Sequence, residues 1–166
     1  ESKIDPLVRM ALIHHQFKTI HPFYDGNGRT GRILNILYLV QAGLLESPIL
    51  YLSRYINQTK DEYYLKLQNT RDTTGWESWI IYILRGVTMT AKHTTNLIEN
   101  IRDLLINQKQ YIRKFHKFYS QDLINNLFRH PYTKVAFLEK DLQVSRATAT
   151  RYLDAIEKMV CCINTN

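Results

Sequence analysis

Between His21 and Arg32 the chain reads His-Pro-Phe-Tyr-Asp-Gly-Asn-Gly-Arg-Thr-Gly-Arg. This short run holds an imidazole, a carboxylate, three glycines, an amide and two guanidinium groups, directly ahead of an apolar stretch. Glycines allow consecutive backbone N–H groups to converge on an anion, and a following helix adds its unpaired first-turn donors and the positive end of its dipole. The product of that arrangement is a phosphate site. Arg29 and Arg32, at the start of the helix, can reach further phosphate oxygens with bidentate geometry, so a polyphosphate suits them better than a single phosphate. Asp25 is a hard oxygen ligand placed where Mg²⁺ could bridge to the phosphates. His21 stands at the mouth, and an imidazole, with an ordinary pKa of about 6.5, can accept a proton from an incoming hydroxyl near neutral pH.

Two other phosphate motifs fail on context. Gly26-Asn27-Gly28-Arg29-Thr30-Gly31 has the spacing G-x-G-x-x-G, and Glu46 lies where that fingerprint expects an acid. The fingerprint needs a buried strand running into its first glycine and a βαβ unit around it, whereas residues 21–25 are polar and follow helical sequence. The P-loop pattern G-x-x-x-x-G-K-[ST] is absent from the sequence.

The elements that must position these residues read as helices. Asp5-Pro6 is an N-cap followed by the favoured first-turn proline, and Leu7, Val8, Ala11, Leu12, Ile13 and Phe17 recur at helical spacing, predicting a helix that ends near Phe17. Ile33, Leu34, Ile36, Leu37, Leu39 and Val40 are apolar almost all round, as in a central buried helix, with Gly43 as its stop. Shorter helices are expected near Leu52 to Ile56 and Asp61 to Arg71, before a break at Thr73-Thr74-Gly75. From Trp76 to about Phe115 the sequence is helix-compatible, with Gly86 its one glycine and no proline, which predicts one long helix or two abutting ones. Hairpin signals and internal repeats are lacking, so the expected fold class is all-α.

The last segment has its own pattern. Ser120 can cap a helix through Arg129, His130-Pro131-Tyr132 breaks it, Val135 to Leu142 makes a short helix, and Ser145 caps Arg146 to Met159. Short helix, tight turn at Gln143-Val144 and longer helix form a helix-turn-helix pattern, with Arg146, Thr148, Thr150 and Arg151 at the exposed start of the second helix. DNA is a candidate partner there, and a protein-contact module is the blander alternative. Charge supports the division. Residues 1–108 hold twelve Lys/Arg against ten Asp/Glu, while residues 109–166 hold ten against five. The excess is modest, and a solvated helical surface explains it as well as a polyanion partner does. The boundaries expected are 1–115 for the first part and 116–166 for the helix-turn-helix module.

Composition narrows the setting. An apolar content of 45% in 166 residues can fill a core and excludes a disordered tail. No apolar run reaches the roughly 18 residues of a membrane span, and a signal-peptide layout is absent, so a cytoplasmic protein with no membrane partner is expected. The adjacent Cys161 and Cys162 suit neither a disulfide framework nor a zinc site, which fits a reducing compartment. The chain begins at Glu1, close ahead of the motif, and a preceding N-terminal region is expected.

The stretch His21 to Arg32 resembles the Fic family motif H-x-F-x-[D/E]-G-N-x-R-x-x-R at every fixed position. The resemblance implies a Fic-type helical bundle, followed here by a winged-helix-like appendage, that transfers AMP from ATP to a Ser, Thr or Tyr hydroxyl of a protein, the enzyme itself included, and releases pyrophosphate. It implies His21 as general base, Phe23 anchoring the loop in the core, and Asp25 holding Mg²⁺. Nucleotide binding falls to Gly26, Asn27, Gly28, Arg29, Thr30, Gly31 and Arg32, with Asn27 on the α-phosphate and the arginines on the outer phosphates. The kinase-like Doc branch departs from the G-N-G-R present here, which favours adenylyl over phosphoryl transfer.

Tyr63 and Tyr64 resemble family tyrosines near the nucleotide, with core packing the equal alternative, and Asn57 is a weaker candidate. His14 and His15 read as packing or helix-surface residues, and Trp76 and Trp79 as core. Thr95 to Glu99 resembles the family's inhibitory helix pattern, with Glu99 in the key place, and reads as a chance match on a solvated helix. The target-aligning flap and the inhibitory segment are expected upstream, and a homodimer stays open. The competing functional reading is a DNA-binding regulator whose Fic-like half senses a nucleotide.

Overall fold

Asp5 starts the first helix as its position demands: its carboxylate accepts the Leu7 N–H at 2.8 Å, and α1 covers Pro6–Ile20. The structure, a computed structural model, describes residues 4–163, with side chains described through residue 158. The Cys161-Cys162 pair lies outside the described side chains. Seven helices follow α1: α2 (Asn27–Gln41), α3 (Leu52–Gln58), α4 (Lys60–Thr73), α5 (Trp76–Phe115), α6 (Gln121–Arg129), α7 (Val135–Leu142) and α8 (Arg146–Ile163). Among the described residues there is no strand, so the fold is all-α as expected. Among those residues, too, no helix is long and apolar enough to cross a membrane.

Two compact units divide the chain, Glu1–Leu97 and Ile98–Asn166. The boundary falls within α5, earlier than residue 115, because the later turns of α5 bury Ile112 with Leu123 and Ile124 of α6, Leu138 of α7 and Ala149 of α8. α5 is one continuous helix.

In the first unit the core gathers Met10 and Ala11 of α1, Leu39 of α2, Leu52 and Ile56 of α3, Tyr63 and Leu67 of α4, and Trp79, Tyr82 and Ile83 of α5. The Trp79 indole N–H donates to the Ala11 carbonyl at 2.8 Å, which satisfies the one polar atom of a fully buried ring. Gly86 lets α3 lie against α5: a Cβ there would stand 2.7 Å from the Tyr55 ring. Gly43, at φ 72°, stops α2 as its sequence position implies, and the Leu44 N–H turns back to the Leu39 carbonyl.

Two expectations are corrected. α1 runs to Ile20, past Phe17. α2 is not wrapped on all sides, since Ile33, Leu34 and Leu37 are exposed while Asn27, Gly31, Asn35 and Leu39 face inward. An all-round apolar pattern cannot tell which face is covered, and here the covered face is built around a polar contact. Trp79 is buried as expected, while Trp76 is partly exposed and meets the His15 ring edge-on at 4.7 Å.

That polar contact is His14. It is 1% exposed, stacked on Trp79 at 6.0 Å, with Nδ1 3.0 Å from the Asn35 amide and 3.3 Å from the Gly31 carbonyl, and Nε2 3.0 Å from the Tyr63 hydroxyl. Both nitrogens are engaged in the neutral form, and burial, with Lys18 and Arg32 nearby, pushes its pKa down to about 4. Histidine in a packing role, as expected, thus joins α1, α2 and α4.

The second unit follows the sequence closely. Ser120 accepts the Leu123 N–H at 3.1 Å to cap α6, and Ser145 accepts the Thr148 N–H at 3.4 Å to cap α8. Gln143, at φ 54°, makes the left-handed turn between α7 and α8. Asn126 is buried between Asp141, to which its amide donates at 2.7 Å, and Thr133, whose hydroxyl it accepts at 2.7 Å. The helix-turn-helix is present, and among the described residues no wing strand accompanies it.

Because His14 is neutral in the fold and ordinary when unfolded, the unfolded chain binds its proton first as pH falls. Stability contributed by the neutral ring is therefore present above about pH 6.5 and is lost on acidification toward pH 4, by about 3 kcal/mol in all. Urea unfolding followed by Trp fluorescence at pH 7 and pH 4.5 is expected to show this loss, and His14→Gln is expected to flatten it.

Candidate active site

Glycine at Gly26 allows a sharp entry into α2. At φ 83° it takes the N-cap position with no side-chain cap, and Asp25 accepts its N–H at 2.6 Å. The first intrahelical bond is Thr30 N–H to Gly26 C=O at 3.0 Å, so the N–H groups of Asn27, Gly28 and Arg29 precede the ladder. The Thr30 hydroxyl also returns to the Gly26 carbonyl, at 3.2 Å. Gly28 to Arg32 are thus the opening turns of a helix, and the loop proper is residues 21–26.

His21 closes α1. Its N–H bonds the Phe17 carbonyl at 3.1 Å, and its backbone takes the left-handed conformation at φ 52° ahead of Pro22, an uncommon state for a non-glycine residue that projects an exposed side chain off the helix end. Asp25 is exposed and faces Arg29 at 3.7 Å. Arg32 points its Nε–H to the Ser53 hydroxyl at 2.7 Å, which fixes the guanidinium from α3.

Asn27 is 3% exposed, and both ends of its amide are committed to one residue: Oδ1 accepts the Phe23 N–H at 3.0 Å and Nδ2 donates to the Phe23 carbonyl. It staples the loop across its neck. The resemblance puts this side chain on the α-phosphate, and in the structure its amide is hydrogen-bonded to the loop. Phe23, expected to anchor the loop in the core, is half-exposed, its ring 6.2 Å from Phe17, so the anchoring is done by its backbone through Asn27.

The other expected residues separate. Gly31 is buried against α1, where a Cβ would come within 3.1 Å of Phe17 and 3.3 Å of His14, so it serves helix approach. Tyr63 is 4% exposed, its ring among Trp79, Tyr82 and Tyr64 and its hydroxyl on His14, which places it in the core with no face left for a base. Tyr64, half-exposed with one edge on Tyr63, keeps a free face, and Asn57 is exposed on α3. Glu99 is exposed on α5.

One residue that sequence reading missed is Lys18, in the last turn of α1. It is 8% exposed and beside Gly28, with Arg32 and Arg71 as its charged neighbours. Its spacing of three from His21 was the available signal. Among the described residues no cluster of three or more acidic, His or Cys side chains forms a metal cage. Asp25, one exposed carboxylate just ahead of α2, is compatible with the way Mg²⁺ is commonly held, by one or two carboxylates with substrate oxygens and water.

The order of these parts, an imidazole at a helix end, a stapled loop and an uncapped helix start with two arginines, coincides with the family match. Residues 1–39 match the Fic/DOC family, and residues 104–161 match the C-terminal domain of SoFic-like protein adenylyltransferases. It is similar to a probable protein adenylyltransferase of Aquifex aeolicus, with 41% identity over 37% of this chain and 19% of the relative. It is also similar to protein adenylyltransferase fic-1 of Caenorhabditis elegans, at 39% identity over 39% of this chain and 11% of the relative. Protein adenylyltransferase Fic of Drosophila virilis matches at 38% identity over 43% of this chain and 14% of the relative. The chain thus spans less than a fifth of the length of each of these relatives.

Removing the staple tests the geometry of the loop. Asn27→Ala leaves the Phe23 N–H and carbonyl without partners and is expected to cost about 1 to 3 kcal/mol in denaturant unfolding. Hydrogen exchange at the Phe23 amide should rise with it, and an unchanged exchange rate would dismiss the staple.

Proposed function

We propose that this chain contributes the nucleotide-binding and proton-accepting part of a protein adenylyltransferase, which moves AMP from ATP to a protein hydroxyl and releases pyrophosphate. The observation that carries the reading is the uncapped start of α2, with the Asn27, Gly28 and Arg29 N–H groups ahead of the ladder, placed one short stapled loop after His21. The relatives' printed names point the same way.

In-line attack at the α-phosphorus asks little covalent help of a protein; it asks for position, charge neutralisation and proton removal. The first-turn N–H groups and the helix dipole hold phosphate oxygens, and Arg32, fixed by Ser53, offers its remaining guanidinium edge to an outer phosphate. Arg29, exposed and paired with Asp25, can turn to the nucleotide when it arrives. The hydroxyl oxygen of a Ser, Thr or Tyr forms the new bond to phosphorus, its proton passes to His21, and the bond to the β-phosphate oxygen breaks with its electron pair leaving on pyrophosphate. Asp25 would hold Mg²⁺, which when bound supplies further neutralisation of phosphate charge. Tyr64 has the free face that an adenine base would stack on. The setting this reading implies is the cytoplasm, where ATP and Mg²⁺ are at hand.

A second reading concerns the other unit. Arg146 and Arg151 are exposed on α8 just after the helix-turn-helix turn, which favours contact with DNA phosphates, although Thr148 and Thr150 are tied to Ser145 and to the Arg146 carbonyl. A duplex-binding titration at several salt concentrations should show a steep log–log salt slope that flattens by about one per arginine removed, and a slope near zero dismisses DNA.

The main reading is tested by incubating the chain with Mg²⁺ and ATP labelled on the α-phosphate, following label onto protein. His21→Ala is expected to lose about 10² to 10⁴-fold in transfer while ATP binding changes little. Transfer by His21→Ala near the wild-type rate removes His21 as base, and transfer of γ-label in place of α-label replaces adenylyl by phosphoryl transfer.

A further inference from the structure

Lys18 is a cation without a counter-charge. It is 8% exposed, and no hydrogen bond or ion pair to any described group engages its ammonium. The charged groups that face it are both cationic: Arg32 from α2 and Arg71 from α4. Arg71 does not relieve it, since that guanidinium donates to the Lys18 carbonyl at 3.2 Å and to the Thr19 hydroxyl at 3.3 Å. The nearby carboxylate, Asp25, is turned to Arg29 and to the Gly26 N–H. Desolvation first, then the two guanidiniums, hold the Lys18 pKa below its ordinary value.

The cations converge on one spot. A Cβ built on Gly28 would stand 3.3 Å from Arg32 Nη1 and 3.9 Å from Lys18 Nζ, so both charged tips meet over the backbone of the first turn of α2. There they join the N–H groups of Asn27, Gly28 and Arg29, which precede the helical ladder. Gly28 keeps the spot open. The Lys18 stem is buried while its ammonium reaches the surface beside Arg32, and two cationic tips over one backbone turn repel each other unless an anion completes the set. The positive helix end selects an oxyanion, and the sum of Lys18 and Arg32 suits more than one negative charge.

We propose that Lys18 is a ligand of the diphosphate portion of the nucleotide, holding with Arg32 the two phosphates that depart as pyrophosphate. The identity of the anion rests on the adenylyl-transfer reading; the site itself rests on the unpaired ammonium. As the bond from the α-phosphorus to the bridging oxygen breaks, the electron pair stays on pyrophosphate, and Lys18 neutralises charge there without exchanging a proton. Its role is distinct from that of His21, three residues on, which takes the proton of the attacking hydroxyl.

Sodium pyrophosphate is the probe, added to the whole chain without metal and followed by calorimetry. Lys18→Met is expected to weaken pyrophosphate binding about tenfold or more, Lys18→Arg to restore most of it, and AMP binding to stay within about twofold. Ligand-free Lys18→Met is expected to melt at a higher temperature than wild type, because it loses a charge set beside Arg32 and Arg71, whereas loss of a merely structural lysine would lower it. Should Lys18→Met not fold, the wild-type protein labelled with ¹⁵N-lysine decides: the Lys18 ammonium resonance should move on addition of pyrophosphate. Equal binding by wild type and Lys18→Met, no uptake by wild type, or an unmoved Lys18 resonance overturns the inference. The adenylyl-transfer reading stands or falls separately, on the His21→Ala labelling measurement.

Discussion

How closely α1 can approach α2 governs everything chemical in residues 1–97, and Gly31 sets that approach. The space where its side chain would be is taken by the Phe17 ring, at 3.1 Å, and the His14 ring, at 3.3 Å. With no Cβ in the way, the Gly31 carbonyl lies 3.3 Å from His14 Nδ1 and the two helices pack side by side. The end of α1, carrying Lys18 and His21, is thereby brought beside the start of α2, carrying the open N–H groups and Arg32. A side chain at Gly31 would push His21 and the start of α2 apart, so this glycine of the motif has a packing role in the structure.

Much of this was legible in the sequence. The motif from His21 to Arg32 announced its chemistry because several residue types with one common use sit close together, and Asp5-Pro6, Ser120 and Ser145 marked helix starts because capping is a local interaction. What escaped notice depends on distant partners. Tyr63 reads as a candidate base-stacking ring until α1 and α5 place His14 and Trp79 around it. Lys18 went unremarked, because Arg71, which donates to its carbonyl, comes from distant α4. Phe23 was expected in the core, and its half-exposed ring shows that an aromatic residue in a loop can be held by its backbone alone. The inward face of α2 could not be read from periodicity, since Asn35 and Gly31 lie inside while Ile33 and Leu37 lie outside.

Side-chain caps occur in both units, since Asp5 caps α1 as serines cap α6 and α8 while α7 starts without one, and left-handed backbone occurs at Gln143 as well as at His21. In residues 98–166, α6 and α8 each start under a serine whose oxygen accepts a backbone N–H, and the buried Asn126 has both ends of its amide satisfied by Asp141 and Thr133. Those devices are the ordinary means of making a small helical unit stable. In residues 1–97, α2 starts under a glycine that offers no side-chain cap, His21 holds a left-handed backbone, and Lys18 lies among cations.

None of these three features stabilises the unbound chain. An N-cap replaced by glycine costs a few tenths of a kcal/mol, a non-glycine residue in the left-handed region about 1 kcal/mol or more, and like charges held side by side add to that. Each cost has a simple local remedy: Ser or Asp at position 26, Gly at 21, Met at 18. A unit that tolerates all three in adjoining turns, offset by the packing of Trp79, Met10 and Leu39 around His14, departs from local consistency where a bound oxyanion would repair two of the three. The strain at His21 is the remainder, and it lies on the residue whose ring the proposed transfer would need beside an incoming hydroxyl. Local departures of one kind could be accidents of packing; departures that a single ligand chemistry reconciles identify the place where binding energy is to be gained.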